Sequence, residues 1–383
     1  MDALEHGLSD RQKTLFCLAP LSTNILAVAF DVSLALDFPL ILVASRRQID
    51  AKEFGGGYVN GWDTESFAKY CRSAKTGSLY LERDHGGPWQ GSFEVAKNLD
   101  VRESMDVAKK SFEVDIDSGM QIIHIDPTIP IQGEALNLSM ILERLFELYG
   151  HVAEYASLKG KKIAIEIGTE EQSGVFPDES SFHSFLAQVQ EFCMANKFAM
   201  PLFVVLQTGT KVLESKNKGA FESGDADLVS RTIQQIKKSA AIAEKFGVNI
   251  KEHNADYLSV ANLRLRPSLG IRASNVAPEL GYLETQGLVH LLKKYAPDRD
   301  FDDFIRIVNE SGKWKKWMAP DSNASSEDRA LIAGHYCFTD PRIVEIKDRL
   351  AHSVQKHDID LNLYLQKNIR AAFYKYLQAF GLI

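Results

Sequence analysis

Eight short apolar runs recur along this chain, each followed by polar or Gly-rich residues and then by a longer stretch of helical period. They cover residues 14–19, 39–44, 77–81, 120–125, 162–167, 202–206, 248–252 and 269–273. The runs are apolar continuously rather than alternately, the pattern of parallel strands buried on both faces. Helical segments lie between them. One spans 23–36, and Asp63 reads as the N-cap of another that runs to Arg72. A third lies around 103–113, and a fourth carries Leu138, Ile141, Leu142, Leu145 and Leu148 on one face. A fifth spans 225–246, with Gly247 as its stop. Eight strand–helix units in roughly 280 residues match a (β/α)8 TIM barrel. The competing open α/β sheet lacks a GxGxxG after the first run. The alternation stops near Pro297, and 304–308, 343–350 and 361–380 read as helices. The expected organisation is a barrel over 1–297 and a C-terminal helical extension, 298–383, packed on it.

Composition narrows the class. Of 383 residues, 45% are hydrophobic and 25% charged, which is ordinary for a globular enzyme-sized chain. The net charge of −7 and the absence of a basic block argue against a nucleic-acid partner. Cys17, Cys71, Cys193 and Cys337 are far apart and form no CxxC, so neither a zinc knuckle nor a disulfide framework is expected. No run reaches the length of a membrane span, and the first residues lack signal-peptide character. A cytoplasmic location with no membrane partner is the expectation.

In a barrel of this kind the reaction site lies at the C-terminal strand ends. Polar residues gather there: Arg46, Gln48 and Asp50; Arg83, Asp84 and His85; Asp126; Glu166, Glu170 and Glu171; Gln207 and Thr210; His253, Asn254 and Asp256; Arg272, Ser274 and Asn275. In the segment Asp84-His85-Gly86-Gly87-Pro88, the glycines admit a close approach and Pro88 stops the strand. His85, His253 and a carboxylate such as Glu166 suit Zn²⁺ with an open position that polarises a carbonyl. Asp84 beside the ligand is placed to move a proton. Blander readings stand beside these. Asp84-His85 also fits an Asx turn with a satisfied histidine, and Asp126-Pro127 a turn. Glu166 fits a barrel ion pair, and Arg46 and Arg272 fit simple partners of acids. His124 lies within an apolar run and reads as a core histidine; His151, His290 and His352 fall on helices.

Several motifs together resemble a known family. They are Gln48 to Trp62 with its Gly-Gly-Tyr core, Asp84-His85-x-Gly-Pro88, Ile167-Gly-Thr-Glu170, Val204-Val-Leu-Gln207-x-Gly209, Glu252-His253-x-x-Asp256-Tyr257, and in the tail Tyr336 and Pro341-Arg342-Ile343. With these the chain resembles, over nearly its whole length, the class II tagatose-bisphosphate aldolase proteins of the non-catalytic-subunit type, also labelled tagatose 6-phosphate kinase. It departs from them at Gly86, where leucine is usual. Ser274-Asn275-Val-Ala-Pro-Glu279-Leu and Glu166-Ile-Gly-x-Glu-Glu171 are more similar to the catalytic class II aldolases. Those enzymes carry a ligand histidine after strand six, where this chain has Gln207-Thr-Gly-Thr210.

The resemblance implies a metal-assisted aldolase-like lyase, or a related sugar isomerase or epimerase, acting on a ketose or ketose phosphate. It implies a divalent metal, Zn²⁺, on His85 and His253 with Glu166, and Asp84 and Glu171 as acid/base groups. Arg46, Gln48, Arg83, Gln207, Asn254, Arg272 and Asn275 would contact substrate, with the loop 168–177 closing over it. The alternative is a non-catalytic subunit that stabilises or activates a separate catalytic aldolase. A homo-oligomer is expected in either case. Kinase chemistry is disfavoured: no GxxxxGK[ST] occurs, and Gly55-Gly-Gly57 lacks the lysine that would hold phosphates.

Overall fold

A computed structural model describes residues 2–168 and 178–383. Eight parallel strands close into a barrel: β1 Leu15–Leu18, β2 Leu40–Ser45, β3 Leu79–Gly86, β4 Ile122–Ile125, β5 Ala164–Gly168, β6 Phe203–Val205, β7 Asn249–Glu252 and β8 Ile271–Val276. β1 pairs with both β2 and β8, which completes the ring. The eight apolar runs are these eight strands. Two ends differ from the sequence expectation: β3 runs on through Asp84 and His85 to Gly86, and β8 runs on through Asn275 to Val276.

Helices cover the outside of the barrel. Asp63 caps Thr64–Ser73 through a capping box with Ser66, and Asp100 caps Val101–Asp117 through one with Glu103. Ala226–Lys245 starts after the Asp225 cap, and Gly247 follows it with φ of 69°. The β7–β8 connection holds only the short helix Val260–Leu263 and a 3₁₀ turn.

After β8 come the helices Pro278–Tyr295, Asp298–Glu310, Ser326–Ala333, Pro341–Gln355 and Leu361–Ala379. The last of these returns to the barrel and packs against Thr23–Leu36 and Pro278–Tyr295. Its Phe373 and Tyr376 meet Phe16 of β1 at ring-centroid distances of 5.2 and 5.5 Å. Burying each such ring contributes about 1.5–3 kcal/mol, so the C-terminal helices are tied to the barrel wall. They also share an apolar core of their own around Leu292, Phe304, Ile343 and Leu350, against which Tyr58 from the loop after β2 packs. All four cysteines are buried and unpaired. No described helix is long and apolar enough to cross a membrane.

Strand parity decides which side chains enter the barrel. Lys251 of β7 reaches Glu82 of β3 and Glu166 of β5, and those strands are not neighbours, so all three side chains point inward. Side chains alternate along a strand, so Asp84 shares the inward face with Glu82, and His253 lies two residues beyond Lys251. His124 is the register partner of Glu166 and faces the same way. The intervening positions face out: Arg83 meets Asp115 on the helix Val101–Asp117, and Glu252 meets Arg266.

Candidate active site

At the C-terminal mouth, three imidazoles form a triangle. Ring centroids of His85, His124 and His253 lie 4.9 to 5.1 Å apart. His85 Nδ1 is 2.6 Å from Asp126 Oδ2, and His253 Nε2 is 2.9 Å from Glu166 Oε1. The nitrogens on the other sides of these two rings, His85 Nε2 and His253 Nδ1, face each other at 3.3 Å. His124 Nδ1 accepts the His85 backbone N–H at 3.2 Å and lies 3.5 Å from Glu166 Oε1 and 3.6 Å from Asp84 Oδ1. The Asn275 amide approaches Asp84 Oδ1 at 3.5 Å.

The backbone is bent to make this arrangement. The β3–β4 register breaks between Arg83 and Gly86, and His85 sits in the left-handed region at φ of 44°. Such a conformation in a histidine costs on the order of 1–3 kcal/mol and clusters at functional sites. The following glycines permit a close approach of β4. A Cβ on Gly86 would lie 2.2 Å from the Phe112 ring, and one on Gly87 would lie 2.2 Å from the Asp126 carbonyl. Phe112 therefore leaves no room for a side chain at position 86.

Electrostatics follow from the crowding. Burial alone would raise the Asp84 carboxyl, but His85, His124 and His253 hold it well below its ordinary range. Burial works against Asp126 too, and the hydrogen bond and charge of His85 bring it down to about 2. Burial also opposes ionisation of Glu166, yet Lys251 at 2.7 Å, with His124 and His253, holds it low. On the opposite side of Lys251, burial and the negative charge of Glu166 push Glu82 well above its ordinary value.

The cluster opens into a cavity of about 530 Å³. Gln48, Asp84, His85, His253, Asn254 and Asn275 line it, together with Tyr58 from the loop after β2 and Lys313, Lys316, Trp317, His335 and Tyr336 from the C-terminal segment.

Solved structures share this fold over the whole chain. A probable tagatose 6 phosphate kinase from Sinorhizobium meliloti 1021 matches with a TM-score of 0.74 at 18% identity, covering 96% of this chain and 100% of that one. The YdjI aldolase from Escherichia coli K12 matches with a TM-score of 0.53 at 12% identity, covering 99% and 96%. The fructuronate-tagaturonate epimerase UxaE from Cohnella laeviribosi, in a complex with two glycerols, matches with a TM-score of 0.59 at 14% identity, covering 97% and 82%. The resemblance read from the motifs thus holds at the level of fold. No family model matches the sequence. No curated protein matches it either.

The structure brings together Asp84, His85, Glu166, His253, Asn254, Asn275 and Gln48. Gln48 turns part of its amide inward to accept the Ser45 N–H at 2.9 Å. Gln207 follows β6, half-buried, outside the cavity lining. Glu170 and Glu171 lie outside the described residues.

Three arginines expected at the substrate are committed elsewhere. Arg83 is fully buried on the outward face of β3 and pairs with Asp115 at 2.6 Å. Arg46 is enclosed between Asp50 and Glu94. Arg272 stands at the start of β8, towards the opposite end of the barrel, where it donates to the carbonyls of Leu8, Asp10 and Arg11. Buried acids claim Arg83 and Arg46, and backbone carbonyls at the far end of the barrel claim Arg272. The reverse correction applies to His124. It is buried as expected, but it belongs to the histidine triangle rather than to the apolar core.

Proposed function

We propose that the triangle is a divalent-metal centre and that the chain is a metal-assisted aldolase-type lyase, or an epimerase of related enediolate chemistry, acting on a ketose or ketose phosphate. The observation that carries this reading is the 3.3 Å approach of His85 Nε2 to His253 Nδ1. Each ring keeps its proton on the nitrogen that faces a carboxylate, Asp126 or Glu166. The two nitrogens that face each other are then both placed to ligate a cation between them. Two ligands of a tetrahedral ion with bonds of ~2.0–2.1 Å lie ~3.4 Å apart. His124 Nδ1 lies beside the same groups, 3.5 Å from Glu166 and 3.6 Å from Asp84, and would exchange the His85 backbone N–H for the ion. His85, His124 and His253 would hold the ion, and an all-nitrogen set suits Zn²⁺. Glu166 in this reading stands behind His253 and fixes its ring.

When bound, the metal polarises the substrate carbonyl and steadies negative charge on its oxygen. The protein supplies the remaining steps. Asp84, held ionised, accepts the proton of a substrate hydroxyl as the adjacent carbon–carbon bond opens. Asn275 orients the substrate beside it, and Glu171, in the sequence that follows β5, returns or removes the second proton. Asp126 and Glu166 keep the rings in place.

The alternative subunit role draws on the missing histidine after β6. His124 supplies a nitrogen from β4 instead, which favours the catalytic reading. The test is a screen of ketose phosphates, in cleavage and condensation directions, with the purified chain alone. Turnover that a chelator abolishes and zinc restores is expected. No turnover alone, but turnover in mixture with a catalytic aldolase, would establish the subunit role.

A further inference from the structure

The cavity has a second pole. Arg47 from the loop after β2 and Lys313 and Lys316 from the C-terminal segment line it, and Asp84 is the one carboxylate in its described lining. This is unusual in a chain whose net charge is −7. Among the described residues, none of the three cations has a carboxylate within ion-pair distance. They are held by other means. Lys313 Nζ donates to the Tyr336 carbonyl at 2.9 Å and lies 5.3 Å from the centre of the Tyr58 ring. Lys316 Nζ lies 4.7 Å from the centre of the Trp317 ring and 4.9 Å from that of Tyr336. Aromatic faces of this kind steady an ammonium without neutralising it.

His335 adds an independent sign. It is 2% exposed, lines the same cavity, and neither ring nitrogen has a partner. Burial, then Lys316 and Lys313, pulls its imidazole down to about 3, so it stays neutral and keeps one N–H to donate. A buried polar group without a partner calls for an explanation. Lys316 tells the same story: although much of its surface is open, its partial enclosure and the nearby Arg47 and Lys313 pull the ammonium down to about 8. Three cations without an acid partner and a buried, unsatisfied imidazole on one cavity wall together fit a bound anion.

We propose that Arg47, Lys313 and Lys316, with His335, form an oxyanion subsite that takes a phosphate monoester at the end of the substrate remote from its reacting carbonyl. A phosphate carries close to two negative charges and three acceptor oxygens, which matches three cationic donors better than a carboxylate does. The helical extension is then part of the binding site, because it supplies two of the three cations. This deepens the sugar-chemistry reading above and rests on it only for what happens at the histidine pole.

The test is calorimetric titration of the purified full-length chain with inorganic phosphate, with acetate titrated in parallel. Saturable phosphate binding is expected, at least about tenfold tighter than acetate. Lys316→Met and Arg47→Met should each weaken it by about tenfold or more, since each removes a charge-assisted bond. The exposed Lys294→Met should not change it, and His85→Ala should retain it, which separates the subsite from the metal centre. Circular dichroism checks that each variant is folded, and Arg47 lies in an exposed loop where its loss leaves the core intact. The proposal is overturned by absent saturable binding, by unchanged affinity in both cation variants, by acetate binding as tight as phosphate, or by loss of binding in His85→Ala.

Discussion

Glu166 holds His253 Nε2 at 2.9 Å with one carboxylate oxygen and meets Lys251 Nζ at 2.7 Å with the other. The lysine is fully buried, so its charge keeps the ring's carboxylate ionised inside the barrel. Lys251→Met leaves Glu82 and Glu166 facing one another without a cation. Breaking a buried pair in this way costs about 3–5 kcal/mol, and chemical denaturation should record a loss of that size. Adding Glu82→Gln should recover part of it, because a neutral amide then faces Glu166 in place of an ionisable carboxyl. Equal stability of Lys251→Met and wild type would show that the interior charges are not coupled.

Asp126 plays the corresponding part for His85, at 2.6 Å from Nδ1. Asp126→Asn keeps the size of the side chain but no longer forces the ring proton onto Nδ1. A partner of this kind is worth about 10–100-fold in metal affinity. Competition with a chromophoric chelator should show that weakening, with the circular dichroism spectrum unchanged.

The fold was legible because eight apolar runs and their spacing leave few alternatives, and the pole of the site at Asp84, His85 and His253 was legible because these residues stand at or just past strand ends. What was not legible depends on parity and on distant partners. His124 sits in Ile122–Ile125, where the residues on both faces are buried, so nothing local says that it points inward. The register with Glu166 decides it. Arg83 looked available because its acid, Asp115, is 32 residues away, and Arg46 because Glu94, which with the nearby Asp50 encloses it, is 48 residues away. The basic wall was hidden for the same reason: Arg47 meets Lys313 and Lys316 only through the packing of the C-terminal helices.

Arg272 provides a direct check on the part played by distant partners. Its guanidinium satisfies three backbone carbonyls near the N-terminus. Arg272→Met should lower stability by about 1–3 kcal/mol, the range for stranding buried acceptors, and leave KM for the substrate unchanged. A raised KM at unchanged stability would return Arg272 to the substrate.

Asp256 gives the protein a pH dependence. Burial, with Glu279 nearby, raises its carboxyl to about 7, although the N–H groups of Glu279 and Ala277 act in the other direction. A carboxyl raised on folding binds its proton more tightly in the native state, so its own contribution to stability is greatest below its unfolded value of about 3.9 and is lost as pH rises towards about 7. The full span corresponds to roughly 4 kcal/mol. Asp256→Asn should flatten the stability profile between those limits in urea titrations, and an unchanged slope would assign the dependence to other groups.

Metal analysis of the purified chain bears most directly on the histidine triangle. About one divalent ion per chain is expected in the wild type, with His85→Ala, His124→Ala and His253→Ala each losing most of it while remaining folded. A wild-type protein that binds no divalent ion after dialysis against zinc, or three variants that retain the full complement, would contradict a metal centre at these residues.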